Sequence, residues 1–180
     1  MTKRLQIVVI AVLGLVMVSC HTGRKATPTE KVTVDNTIHV GHGTGKQRKI
    51  IDEALTWVGT PYKYAGVEKG KGVDCSGMVM QVYLDVTGRK LPRNSAKQAE
   101  FCDSLSAEEV AMGDLVFFAT GKDPLKVSHV GIVMDNDSFI HASSSKGVVV
   151  SKFNNPYYQQ KFRMFGRIPE PVNDLATHEK

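Results

Sequence analysis

The hydrophobic pattern of this chain changes period once, and that change limits the fold more than any other feature. Over residues 47–58, Ile50, Ile51, Ala54, Leu55 and Val58 recur at helical spacing, and Gly59 supplies a stop. A second helix is expected over 75–86, with Val79, Val82, Tyr83 and Val86 on one face and Gly88 at its end. A short helix follows at Ser95–Phe101, and Ser106 with Glu109 fits a capping box on a further turn. Then the helical period stops. Stretches 114–119, 130–134, 138–142, 147–152 and 162–168 are rich in Val, Ile and Phe and read as strands. Asp135-Asn136-Asp137 is a hairpin turn between two of them. Helices first and antiparallel strands second make an α+β domain. With 42% hydrophobic and 23% charged residues in 180, the chain has enough apolar material for a sizeable core.

The first twenty residues follow a different logic. Lys3 and Arg4 form a positive start, 5–18 is almost wholly apolar, and Ser19-Cys20 follows at once. Such a run is short for a bilayer span and reads as a signal-peptide core. Met17-Val18-Ser19-Cys20 resembles a bacterial lipobox, in which the cysteine is lipidated and becomes the new N-terminus. This sets a signal peptide at 1–19 and lipidation at Cys20. An ordinary secretory leader with an incidental Cys20 is the alternative. Each buried acyl methylene contributes about 0.8 kcal/mol, so several chains hold a protein on a membrane.

Residues 20–46 read as a lipidated N-terminus and linker, rich in Thr, Gly, Lys and His, with Pro28 and no apolar period. His39 and His42 could bind a metal, but a solvated tether is the simpler reading. The glycines of 41–46 fail as a phosphate loop, because Gln47 stands where Ser or Thr should follow Lys46. Removing the leader takes Lys3 and Arg4 with it and lowers the formal charge from +5 to +3. That mild bias suits an anionic polymer. No dense Lys/Arg cluster suggests nucleic acid. After Pro169 the tail, 170–180, is polar.

Three cysteines occur: Cys20, Cys75 and Cys102. With Cys20 lipidated, two remain, and an exported chain with two invites a disulfide. We expect Cys75 to stay free for chemistry and Cys102 to be a buried thiol; the competing reading, a Cys75–Cys102 disulfide, would silence any thiol chemistry. In Asp74-Cys75-Ser76-Gly77 a glycine-rich loop runs into a helix that begins at the cysteine. Unpaired N–H groups and positive potential at a helix start favour thiolate, and reactive cysteines so placed have pKa values of roughly 3.5–7.5. The same N–H groups can receive an oxyanion. A nucleophile needs a base. His129 opens one expected strand and His141 ends the next. A hairpin centred on Asn136 pairs 131 with 141, so His129 lies diagonally from His141 within side-chain reach. Nucleophile, base and orienter then form a triad.

These segments, in order, resemble the NlpC/P60 family of cell-wall cysteine peptidases. The resemblance rests on Gly59-Thr60-Pro61-Tyr62-Lys63-Tyr64-Ala65-Gly66, Asp74-Cys75-Ser76-Gly77, Leu91-Pro92-Arg93-Asn94-Ser95, Gly113-Asp114-Leu115-Val116-Phe117-Phe118, Ser128-His129-Val130-Gly131-Ile132-Val133 and Phe139-Ile140-His141-Ala142. It covers about residues 47–168, within a catalytic domain set at 47–169. It implies a papain-like fold, with the nucleophile-bearing helix packed on an antiparallel sheet. It implies Cys75 as nucleophile, His129 as base, His141 as third polar residue and Tyr64 as an oxyanion hydroxyl. Asp74 and Ser76 match residues that line a pocket for the stem peptide's amino end in some members, and Arg93 and Ser95 fall near the cleft. Ala65 stands where many members have Gly.

The activity implied is peptidoglycan endopeptidase, acting on the bond from the D-glutamate side chain to a diamino acid. Some members cut the D,D cross-link instead. No cofactor is implied. With the lipobox, the expected location is the bacterial cell envelope, lipid-anchored on the periplasmic side of the outer membrane. Competing readings are a zinc site of Cys75, His129 and His141, a catalytically silent wall-binding lipoprotein, and amidase or acyltransferase relatives.

Overall fold

A computed structural model describes residues 43–170. The expected signal peptide, Cys20, His39, His42 and residues 171–180 lie outside the described residues.

Helix α1 spans Gly45–Leu55. Thr44 and Gln47 close a capping box: Gln47 N–H donates to Thr44 Oγ1 (3.4 Å) and Thr44 N–H to Gln47 Oε1 (2.7 Å). Lys46 is therefore already helical, and the globular domain starts earlier than the composition suggests. At the other end the helix stops at Leu55, not at Val58. The turn at Thr56 redirects the chain, so Leu55 and Val58 are exposed and Trp57 is buried instead.

The loop beyond carries two short strands, β1 (Val67–Glu68) and β2 (Gly72–Val73). Helix α2, Cys75–Thr87, follows directly, capped by Asp74 at the start and by left-handed Gly88 at the end. Its Met78, Val79 and Val82 are fully buried. Helix α3 occupies Ser95–Phe101, as expected, with Asn94 as N-cap.

The strands are β3 (Asp103–Leu105), β4 (Leu115–Phe118), β5 (His129–Val133), β6 (Ser138–Ser143), β7 (Gly147–Lys152) and β8 (Phe162–Arg167). They form one antiparallel sheet in the order β3-β8-β4-β5-β6-β7. Helix α4, Pro156–Lys161, precedes β8, with Asn155 as N-cap and Pro156 in the first turn. Two cores flank the sheet, one on each face. Leu115, Phe117, Val130, Ile132 and Ile140 pack with α1 and α2. Val116, Phe118, Val133 and Phe139 pack with Phe153, Phe162 and Phe165. Period-two alternation along each strand sends neighbours to opposite cores. The fold is thus α+β, with the cysteine-bearing helix on an antiparallel sheet. Four elements escaped the sequence reading: β1, β2, β3 and α4.

One half-buried ion pair joins the sheet's β8 to the turn before β4. Arg167 holds Asp114 through Nε (2.8 Å) and Nη2 (2.6 Å), and Asp114 also accepts from Ala111 N–H (2.7 Å). The bidentate fork and the backbone donor together satisfy the carboxylate.

Candidate active site

Cys75 is the first residue of α2 and is buried. The helix begins there because the Asp74 side chain accepts the Gly77 N–H (2.7 Å). Gly77 is required by contact: a Cβ at this position would collide with the Gly66 carbonyl oxygen. The segment therefore packs α2 against the loop that carries Tyr62.

Burial pushes the Cys75 thiol pKa up to about 11, with the neighbouring Asp74 charge adding to the rise and the backbone N–H groups of Val130, Ser76 and Cys75 pulling the other way. The expectation of a depressed pKa is thus corrected. Desolvation of a charge costs more here than the helix terminus returns. Cys75 and His129 line one cavity, so the sulfur faces the strand that begins at His129.

His129 and His141 meet as the hairpin register requires. Ile132 pairs with Ile140 and Val133 with Phe139, which puts Gly131 opposite His141 and His129 on the diagonal. His129 Nε2 lies 2.8 Å from His141 Nδ1, with the rings nearly perpendicular at 88°. The rings rest on the aromatic face, His129 against Phe118 and His141 against Phe139. Burial lowers the His129 pKa to about 4; burial and then the neighbouring His129 lower that of His141 to about 3. Both rings are neutral at pH 7.

His141 has further partners. Its Nε2 lies 2.9 Å from Ser151 Oγ and 3.2 Å from Tyr158 Oη. A neutral imidazole carries one N–H. With the proton on Nε2, His141 donates to Ser151, and its Nδ1 accepts the His129 Nε2–H. His129 Nδ1 is then the lone pair left for the cleft. Ser151 and Tyr158 were missed from sequence. The Asn155-Pro156 helix start was the available signal for Tyr158. Ser151 becomes visible only through the β6–β7 pairing.

The remaining expected residues form a second cluster beside Cys75. Arg93 grips Asp74 with Nη1 to Oδ1 (2.9 Å) and Nη2 to Oδ2 (2.8 Å). Ala65 N–H donates to Oδ2 (2.9 Å). With Gly77 and the Ser76 hydroxyl (3.1 Å), Oδ1 has three donors within reach and Oδ2 has two. Burial pushes the Asp74 carboxyl up, but Arg93, the Gly77 N–H and Ser76 together outweigh it and hold the pKa below its ordinary range. Ser76 Oγ lies 2.8 Å from the Arg93 carbonyl and accepts from Arg93 Nη1 (3.1 Å). Ser95, buried at the first turn of α3, lines the same cavity.

Tyr64 sits differently from expectation. Its side chain is 85% exposed on the rim of that cavity. Tyr62, half-buried, borders Cys75 in both cavities that meet at the thiol. Its backbone is pinned by Val73 N–H to Pro61 O (3.0 Å) and Lys63 N–H to Val73 O (3.1 Å), two residues before Cys75. Burial, then Cys75 and Asp74, raise its pKa.

Cys75 and Cys102 are both free thiols, so no disulfide joins them; Cys102 is half-buried rather than buried. Among the described residues no group of three or more His, Cys, Asp or Glu is arranged to hold a metal ion. His129 and His141 also spend facing nitrogens on each other, which a shared zinc ion would require free.

Residues 59–167 match the model of the NlpC/P60 family. The chain belongs to the NlpC/P60 family. It is similar to a probable endopeptidase of Haemophilus influenzae, 44% identical over 112 residues, which are 62% of this chain and 68% of that one. It is 38% identical over 120 residues to an Escherichia coli protein named murein DD-endopeptidase MepS/murein LD-carboxypeptidase, covering 67% of this chain and 62% of that one. Among solved structures it resembles a Staphylococcus aureus protein described as similar to lipoprotein, NLP/P60 family. The TM-score is 0.64 at 31% identity, over 75% of this chain and 45% of that one. The papain-like NlpC/P60 fold expected from the motifs is the fold observed, and the chain is a cysteine peptidase of this family.

Proposed function

We propose that this protein is a peptidoglycan endopeptidase that cleaves a stem peptide by acyl transfer through Cys75, at the bond joining the D-glutamate side chain to a diamino acid. The observation that carries this is the junction of a helix-terminal thiol with the His129–His141 pair in one cleft. Relatives named endopeptidases, one of them a murein endopeptidase, support the substrate class.

His129 Nδ1 takes the Cys75 proton as sulfur attacks the scissile carbonyl. A neutral thiol and a neutral imidazole are the starting pair, so proton transfer accompanies attack. The Cys75 N–H and the Tyr62 hydroxyl receive the oxyanion; Tyr62 takes the role expected of Tyr64 because it borders the sulfur. His129 gives its proton to the leaving amine. Water then attacks the thioester, its proton passes to His129, and the thiol is restored.

A second reading, cleavage of the D,D cross-link, is favoured by one observation. The Asp74 oxygens are already saturated by Arg93, Gly77 and Ala65. A free amino end would have to displace the arginine to bind there. Digestion of purified sacculi beside Cys75→Ser, with mass spectrometry of the products, decides between them. Fragments ending at D-glutamate support the first reading and opened cross-links the second. Equal products from both proteins would sink the enzyme assignment.

We also infer anchoring by lipid on Cys20, with the domain in the envelope on the periplasmic side of the outer membrane. The apolar run 5–18 ending at Ser19-Cys20 supports it. Cys20→Ala should release the protein from the membrane fraction; retention of the variant there would count against the anchor.

A further inference from the structure

The two cavities that meet at Cys75 differ in chemistry. One, about 260 Å³, holds Asp74 and Arg93; the other, about 350 Å³, runs from His129 and His141 along the β6–β7 turn to α4. Ser143, Ser144, Ser145 and Lys146 of that turn line it, with Asn155 and Tyr157 on the far side. No Asp or Glu lines it among the described residues, and Lys146 is its single lysine or arginine. That ammonium is exposed, and among the described residues no ion pair engages it.

The turn is held in place relative to the thiol. Val148 N–H donates to Thr60 O (2.9 Å) and Gly59 N–H to Val148 O (2.9 Å). Gly147 has φ of +71° and passes so close to the Thr60 carbonyl that a Cβ there would collide with it. The strand joining Lys146 to the sheet is thus clamped to the loop that carries Tyr62.

Proton return assigns a side to each half of the substrate. The leaving amine must lie against His129, which gives it a proton. His129 lines the serine-lysine cavity and not the Asp74 cavity. We propose that the serine-lysine cavity binds the leaving half of the substrate through a free carboxylate, received by Lys146 and the hydroxyls of Ser143, Ser144 and Ser145. The substrate class is then a peptide whose residue on the amine side of the scissile bond carries an unamidated carboxylate. This rests on the peptidase reading above.

The test uses the full-length protein and two synthetic stem peptides, identical except that the leaving diamino residue carries a free carboxylate or its primary amide. The wild type turns over the acid with a kcat/KM about fivefold higher, the scale of a solvent-screened ion pair. The preference shrinks at high salt. Lys146→Gln brings the acid down to the level of the amide, whereas Lys152→Gln, a lysine outside the cavity, keeps the wild-type ratio. Equal kcat/KM for acid and amide in the wild type overturns the assignment, as does a preference that survives K146Q. Cleavage of neither peptide overturns the reading of the D-glutamyl bond as the scissile one, and this assignment with it.

Discussion

His129 and His141 share a 2.8 Å nitrogen–nitrogen contact across the β5–β6 hairpin, and the far nitrogen of His141 ends on Ser151. The proton positions along this line depend on its last member. Without the Ser151 hydroxyl, His141 Nε2 keeps only the longer contact to Tyr158 Oη (3.2 Å), and the ring can turn its proton toward His129. Ser151→Ala should lower kcat about tenfold with KM nearly unchanged, the cost of an outer partner that orients a histidine. Ser151→Thr should restore much of the rate. Steady-state kinetics on a stem peptide reads both; a change confined to KM would show that Ser151 touches substrate instead.

The acid limb of activity should lie unusually low. The free enzyme needs His129 neutral, and burial holds its pKa to about 4. The pH profile of kcat/KM reports the free enzyme. It should stay level below the ordinary histidine value of 6.5 and bend near pH 4. A bend at 6.5 would mean that the imidazole is as easily protonated as one in water, contrary to its burial.

The same burial makes stability pH-dependent. Folded-state pKa values of about 4 and about 3 lie below the ordinary 6.5 of an unfolded histidine. In that window the unfolded chain binds more protons. Stability from this pair is therefore full above 6.5 and lost as pH falls toward 4 and 3. For His129 alone the total is roughly 3 kcal/mol. Urea denaturation at pH 7 and pH 4.5 should show the loss, and His141→Asn should reduce it. An unchanged slope in that variant would assign the acid sensitivity to carboxylates.

Ala65 holds a left-handed backbone, φ 58°, with its N–H donating to Asp74. A left-handed alanine costs about 1–2 kcal/mol, and glycine removes that strain while adding unfolded-state entropy worth about 0.4–1 kcal/mol. Ala65→Gly should therefore stabilise the protein by roughly 0.5–1 kcal/mol, seen as a higher Tm. A fall in Tm would show that the methyl group packs more than it strains.

Local chemistry carried much of this protein into view. Helical spacing, strand alternation and the Asp135–Asp137 turn were enough for the α+β class, and the hairpin register placed His129 diagonally from His141. These depend on neighbours in the chain and on periods that any solvent-exposed fold must obey. Tyr62 and Tyr64 could not be ranked that way. They stand two residues apart in one loop, and only its bridge to Val73 decides which ring borders the thiol. The Asp74–Arg93 clasp joins residues nineteen apart, and Ser151 reaches His141 only because β7 lies beside β6. The thiol pKa followed the same division. A helix start is legible from Asp74-Cys75-Ser76-Gly77, but desolvation comes from every element packed around the sulfur, and that depends on the assembled tertiary structure.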